Sequence, residues 1–224
     1  MPAHRSDVDK LEVPFAPFPM KKSVDSTHPD FWSSRYDTGK MPWDFGGVPA
    51  AVKSFLSRSS GPGRVLIPGC GSGYEVQPFH DAGYDVTAID FSPAAVARAT
   101  RVLGDLAKRV MLGNFFTRDF GPHRFDLIYE RTFLCSLPPS RWPEYVSRMA
   151  ALLSPGGRLV GIFLYGQERE PPPYPLRDNQ AELLFQTHLR LVRSDLVTDS
   201  LPLFRGMERW QEWIKQQDDA ACGG

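Results

Sequence analysis

Val65–Phe91, VLIPGCGSGYEVQPFHDAGYDVTAIDF, decides the fold. Val65, Leu66 and Ile67 form a short apolar run of the kind that fills an interior parallel strand. Gly69, Gly71 and Gly73 follow at alternate positions, with Cys70 between the first two. There a chain leaving a strand must turn tightly, pass close to a ligand and enter a helix. The pattern predicts that helix over 74–82, stopped by Gly83. Tyr84 to Ile89 then has strand character, with Asp90 at its end and Phe91 after it. Ligands of open α/β sheets bind outside the carboxyl ends of the strands, so Asp90 and the glycine loop are expected to face one crevice. The carboxylate would stand at about the distance of a ribose.

Outward from that stretch, the chain of 224 residues is 42% hydrophobic with a formal net charge of zero. It can bury the core of one domain without disulfides, and nothing in its charge calls for nucleic acid or another polyanion. Cys70, Cys135 and Cys222 are isolated, without a C-x-x-C pair or a histidine spacing suited to zinc, which points to a reducing compartment and no structural metal. No apolar segment approaches the roughly 18 residues that span a bilayer, and the N-terminus lacks a signal-peptide core. The expectation is a cytoplasmic chain with a small-molecule partner and no membrane.

Residues 1–26, broken by Pro14, Pro17 and Pro19, read as largely flexible, with Phe15 and Phe18 able to dock. Phe31, Trp32, Tyr36, Trp43 and Phe45 crowd a short polar region without a clear helix or strand pattern. Such aromatics either seal one end of the core or, beside a ligand loop, form a lid over 27–47. Apolar spacing predicts a helix over 48–57. Ser92 and Pro93 then start a helix that continues through AAVARATRVLGDLAKR. A third strand falls at 110–112, with Asn114, Phe115 and Phe116 at its carboxyl end. FDLIY, 125–129, reads as the fourth strand, and Glu130 and Arg131 follow it as either a solvated ion pair or part of the site. A helix over 138–153 is stopped by SPGG, and 158–165 gives a fifth strand. Strand and helix in alternation imply right-handed crossovers and a parallel sheet. The proline loop GQEREPPPYP, which carries Tyr174, lies on the crevice edge. A helix over 178–188 and strands within LRLVRSDLV and ERWQEWIK complete a single domain over 27–217, before a flexible tail at 218–224.

The spacing G-x-G-x-G differs from the G-x-G-x-x-G turn on which dinucleotide enzymes place a diphosphate. It resembles the loop of class I S-adenosylmethionine (SAM)-dependent methyltransferases. A nicotinamide-dependent oxidoreductase with an atypical loop stays open at this point, as does a SAM-binding protein without catalysis. FWSSRYDTGKMPWD, RVLIPGCGSGYEV, ERTFLCSLPP with SPGGRLV, and PPPYPL narrow the resemblance to the thiopurine S-methyltransferase family, with its halide and thiol methyltransferase relatives, over about 30–215.

That resemblance implies a Rossmann-like class I methyltransferase fold: α/β, a mostly parallel seven-stranded sheet with helices on both faces and an antiparallel edge strand. It implies SAM as cofactor and S-adenosylhomocysteine as product. By position, Trp32, Gly69, Asp90 and Arg131 match cofactor contacts, Trp43 falls between cofactor and acceptor, and Asn114, Phe115 and Phe116 stand where the adenine is held. Tyr36, Cys70, Gly71, Gly73 and Phe91 join the expected cofactor shell. Phe31, Trp43, Arg131 and Tyr174 are the expected acceptor contacts. Many members of the family have Glu at the position of Asp90, and the shorter carboxylate still reaches a ribose. Arg131, Glu130 and Asp44 are candidates for assisting the reaction, and none is assigned as catalytic. The implied acceptor is a small soft nucleophile, a thiol or thiopurine-like heterocycle, with a halide or reduced selenium or tellurium species as variants. O- or N-methylation of a small metabolite is the alternative.

Overall fold

The computed structural model describes residues 25–59, 61, 63–167 and 170–216. The expectations for residues 1–24 and 218–224, Phe15, Phe18 and Cys222 included, fall outside these.

The strands are β1 Arg64–Pro68, β2 Asp85–Asp90, β3 Val110–Leu112, β4 Phe125–Arg131, β5 Leu153–Leu164, β6 Leu189–Leu196 and β7 Glu208–Lys215. They form one seven-stranded sheet in the order β3-β2-β1-β4-β5-β7-β6. β1 lies parallel between β2 and β4, and β5 continues parallel beside β4. β7 runs antiparallel between β5 and β6, at the side of the sheet away from β3. From β1 the chain builds outward to β2 and β3, then returns to lay β4 on the other flank. The gap beyond the β1 and β4 carboxyl ends is the place where such sheets hold a ligand.

The helices are α1 Pro29–Asp37, α2 Ala50–Arg58, α3 Val76–Asp81, α4 Pro93–Leu103, α5 Trp142–Leu152 and α6 Gln180–Phe185. They cover both faces. Leu66, Ile128, Leu159 and Phe163 point to the side of Trp142, Tyr145, Met149 and Phe185, whereas Val65, Ile67, Tyr129 and Ile162 meet Val52, Phe55, Phe79, Ala99 and Leu103. The period-2 alternation of β1 thus feeds two separate cores. Among the described residues no helix is long and apolar enough to cross a membrane, and no group of three or more His, Cys, Asp or Glu is arranged for a metal.

Several boundaries differ from the pattern reading. The first aromatic segment contains a helix, α1, capped by the His28 ring, which accepts the Asp30 N–H, with Pro29 at its start. Its short length and aromatic crowding hid the period. α4 stops at Leu103 because Gly104, at φ 53°, turns the chain into a 3-10 segment over 104–109. β5 begins at Leu153, five residues early: Leu153 pairs with Phe125 across a register shift, so SPGG is a bulge inside the strand, with Gly156 at φ 73°.

Candidate active site

The carboxyl ends of four strands open into one cavity of about 680 Å³: Gly69 after β1, Asp90 ending β2, Gly113 and Asn114 after β3, and Thr132 after β4. Trp32, Tyr36, Trp43, Phe91, Phe115 and Phe116 also line it. A smaller cavity of about 50 Å³ adjoins the loop, bounded by Asp44, Cys70, Gly71, Ser72, Glu75 and Arg131. Tyr36, Trp43, Gly69 and Thr132 line both.

The loop geometry explains its glycines. Gly69 and Gly71 sit at φ 58° and 54°, where other residues are strained. A side chain at Gly69 would strike the Phe133 ring, and one at Gly71 the Tyr36 hydroxyl. The Asp90 carboxylate ties this loop to the next strand: one oxygen accepts the Gly71 N–H at 3.0 Å and the other the Ser92 N–H at 2.8 Å. Burial raises its pKa above the ordinary carboxylate value, and the bonds from Ser92 and Gly71 oppose that rise. It remains on the cavity wall with lone pairs free to accept from a ligand's hydroxyls.

The lid is built from α1 and the segment after it. Trp32 meets Trp43 edge to face with ring centroids 5.3 Å apart, and Tyr36 meets Trp43 at 6.1 Å. The Trp32 indole N–H donates to the Ser26 carbonyl at 2.7 Å, and the Ser33 and Ser92 hydroxyls are 2.9 Å apart. Ser26 and Thr27, where the flexible segment was expected to end, line the large cavity. Behind the lid, Arg98 of α4 donates to the Ser72 hydroxyl at 2.8 Å, to Asp44 at 3.2 Å and to the Tyr74 hydroxyl at 3.2 Å. Asp44 also accepts from the Ser72 hydroxyl and the Gly46 N–H. It is therefore a tie between lid, loop and helix and is already paired, which argues against the base role considered for it.

At the β4 exit, Glu130 turns away from both cavities. Its carboxylate accepts the Phe133 and Leu134 N–H groups at 3.1 Å and the Tyr145 hydroxyl at 3.1 Å. Burial nevertheless pushes its pKa up to about 7. Glu130 shapes the turn and lines neither cavity, a correction to its place among the reaction candidates. Arg131 lines the small cavity, stacks over Phe45 at 5.1 Å, and keeps its buried Nε without a hydrogen-bond partner among the described residues. A buried, unsatisfied guanidinium nitrogen beside a small polar cavity suits the carboxylate of an amino-acid ligand.

Three further expectations are corrected. Phe31 is buried under the Arg35 guanidinium, 3.4 Å from its ring centroid, and lines neither cavity. Gly73 lines neither cavity; it lets the loop approach Ala99 and Leu103 of α4. Tyr174 packs on the core while its N–H donates to the Cys135 carbonyl at 2.7 Å, and Pro172 and Pro173 line the cavity in its place. Sequence reasoning missed Ser26, Glu75, Thr132, Phe133, Cys135 and Arg141, of which Glu75, Thr132, Phe133 and Cys135 lie inside the quoted motifs without having been singled out. Neither lining cysteine is activated: burial raises the pKa of both Cys70 and Cys135.

Comparison with known proteins bears on the fold and the family. A family profile described as thiopurine S-methyltransferase matches residues 27–216. The chain is 31% identical over 192 residues to "Probable thiol methyltransferase 2" of Arabidopsis thaliana, covering 82% of this chain and 84% of the relative. It is 28% identical over 191 residues to "Thiocyanate methyltransferase 1" of Brassica oleracea, with 82% and 84% covered. Among solved structures, the 1,6-didemethyltoxoflavin-N1-methyltransferase of Burkholderia thailandensis, with bound 1,6-didemethyltoxoflavin and S-adenosylhomocysteine, shares the fold at a TM-score of 0.66 and 22% identity, covering 84% of this chain and 87% of that one.

Proposed function

The chain belongs to the thiopurine S-methyltransferase family and is a SAM-dependent methyltransferase, and from that premise we propose that it methylates the sulfur of a small thiol in the cavity under the aromatic lid. Family membership sets aside the nicotinamide-dependent and the non-catalytic readings. The acceptor is a small molecule. The names of the plant relatives, a thiol and a thiocyanate methyltransferase, support sulfur as its reacting atom.

One observation carries the choice of a thiol over a hydroxyl or amine. Among the described residues, the charged ones that line the large cavity are Arg35, Lys40, Arg141 and Asp90. In this reading Asp90 is occupied by the loop and the ribose hydroxyls, Glu130 lines neither cavity, and burial raises the pKa of Tyr36 and Cys135 so that both keep their protons, which leaves none of these free as a base for the acceptor. A hydroxyl or amine acceptor would need one. A thiol, with an ordinary pKa near 8.5, ionises in part by itself, and surrounding cations favour the anion.

In this reading Asp90 accepts from the ribose hydroxyls of SAM, Arg131 meets its carboxylate, and Asn114, Phe115 and Phe116 hold the base. Bound there, SAM supplies a methyl group activated by its positive sulfonium. Trp32, Tyr36 and Trp43 exclude water and present aromatic faces to positive charge, an attraction of roughly 0.5–2 kcal/mol per good contact. What the chain then contributes is alignment, which accounts for much of the acceleration of an in-line displacement. The test is a product screen with methyl-labelled SAM against thiols, halides, phenols and amines, read by mass spectrometry. Labelled thioethers are expected; label found solely on oxygen or nitrogen would contradict the thiol reading.

A further inference from the structure

We propose that Thr132 is a positioning residue for methyl transfer, its side chain setting the width of the waist between the two cavities; this rests on the reading that SAM spans them. Thr132 has φ 59°. A β-branched residue in the left-handed region is an outlier, and such backbone conformations persist where surrounding structure over-determines them. Here the over-determining group is visible. The buried Glu130 carboxylate, two residues earlier, grips the N–H groups of Phe133 and Leu134 and receives the Tyr145 hydroxyl, so the chain on both sides of Thr132 is fixed.

Thr132 is half-buried, between the buried Glu130 and Leu134. Glycine would adopt the same φ without penalty, and Gly69, across the waist, does. What Thr132 does have is position. It lines both cavities with Tyr36, Trp43 and Gly69. Asp90 lines the large cavity and Arg131 the small one. A ligand reaching from one to the other passes the waist, where Tyr36 and Trp43 come from the lid and Gly69 has no side chain. Thr132 is thus the side chain there that directly follows a strand of the sheet, in a turn held by Glu130. Slack at this point would let the reacting centre drift from line, an error to which alignment-driven reactions are sensitive.

The test compares Thr132→Gly, which opens the waist and releases strain, with Thr132→Val, which keeps its shape. Calorimetry measures the affinity of each for SAM and for S-adenosylethionine, which carries ethyl in place of methyl. The wild type is expected to prefer SAM, Thr132→Gly to reduce that preference at least fivefold, and Thr132→Val to hold it within twofold. With a thiol accepted by the wild type, Thr132→Gly should lower kcat at least tenfold while KM for SAM stays within threefold. Its Tm should be held or raised, as released strain offsets the added freedom of the unfolded chain. The proposal is overturned if the wild type shows no preference, if Thr132→Gly keeps the wild-type ratio, or if Thr132→Val loses it as glycine does. The binding ratio needs no acceptor, so an acceptor other than a thiol would sink the thiol reading and leave this result to stand or fall alone.

Discussion

Asp90 has two duties, and its substitution should show both. Its carboxylate holds the Gly71 and Ser92 N–H groups and, in our reading, the ribose hydroxyls of SAM. Asp90→Asn keeps one acceptor oxygen but turns the other into a donor, leaving one buried N–H unmatched. We expect affinity for S-adenosylhomocysteine to fall by about 1.5–3 kcal/mol, the range for hydrogen bonds to a charged group, with stability lowered by about 1–3 kcal/mol. Calorimetry and denaturant unfolding separate the two; an unchanged affinity would remove Asp90 from the cofactor site. Glu130 gives a pH signature. Its ordinary pKa of 4.5 is raised to about 7 by burial, so between those values the folded chain holds a proton that the unfolded chain has released. Stability contributed by the protonated form is present below about 4.5 and lost as pH rises through about 7. Glu130→Gln imitates the protonated form, and its stability should fall less steeply than that of the wild type across this interval. Parallel curves from denaturant titrations at several pH values would contradict the assignment. Asp90 was legible in sequence because a strand end beside a glycine loop has few other readings. Glu130 was not, since a carboxylate at a strand exit looks the same whether it faces a ligand or caps its own turn.

At the scale of elements, α4 does more than cover the sheet. Arg98 joins it to the glycine loop through Ser72 and to the lid through Asp44, whose side chain is 11% exposed. Partly exposed ion pairs add little to folding, usually about 1 kcal/mol or less. Arg98→Ala should therefore lower Tm by no more than about 4 °C. It strands a mostly buried carboxylate under the lid, and affinity for S-adenosylhomocysteine should drop about tenfold. A large Tm loss with intact affinity would make the clamp purely structural. The central strands β1 and β4 were visible as apolar runs because they are buried on both faces, whereas β6, largely exposed, and the polar β7 stretch were legible only as candidates. Element ends were less legible. The stop of α4 at Gly104 and the bulge inside β5 depend on left-handed glycines that the sequence marks only as breaks. α1 was missed as a helix because its residues serve two surfaces: Phe31 turns to the core while Trp32 and Tyr36 turn to the cavity.

For the whole molecule, the sheet provides four strand ends at one rim, the helices close both faces, and an N-terminal segment folds back across the opening. The site is therefore assembled from parts far apart in sequence, which is why its lining was only half foreseeable. Motif residues in the loop and at the β2 end announced themselves, as did the proline loop at the crevice edge, whereas Ser26 and Arg141 reach the cavity through chain reversals that no local pattern encodes. A crystal structure of the complex with S-adenosylhomocysteine tests the account most directly. It should place the ribose hydroxyls on the Asp90 carboxylate, the purine against Asn114–Phe116, and the amino-acid end past Thr132 beside Arg131. A ligand bound away from the β1 and β2 carboxyl ends, or one whose amino-acid end avoids the smaller cavity, would contradict it.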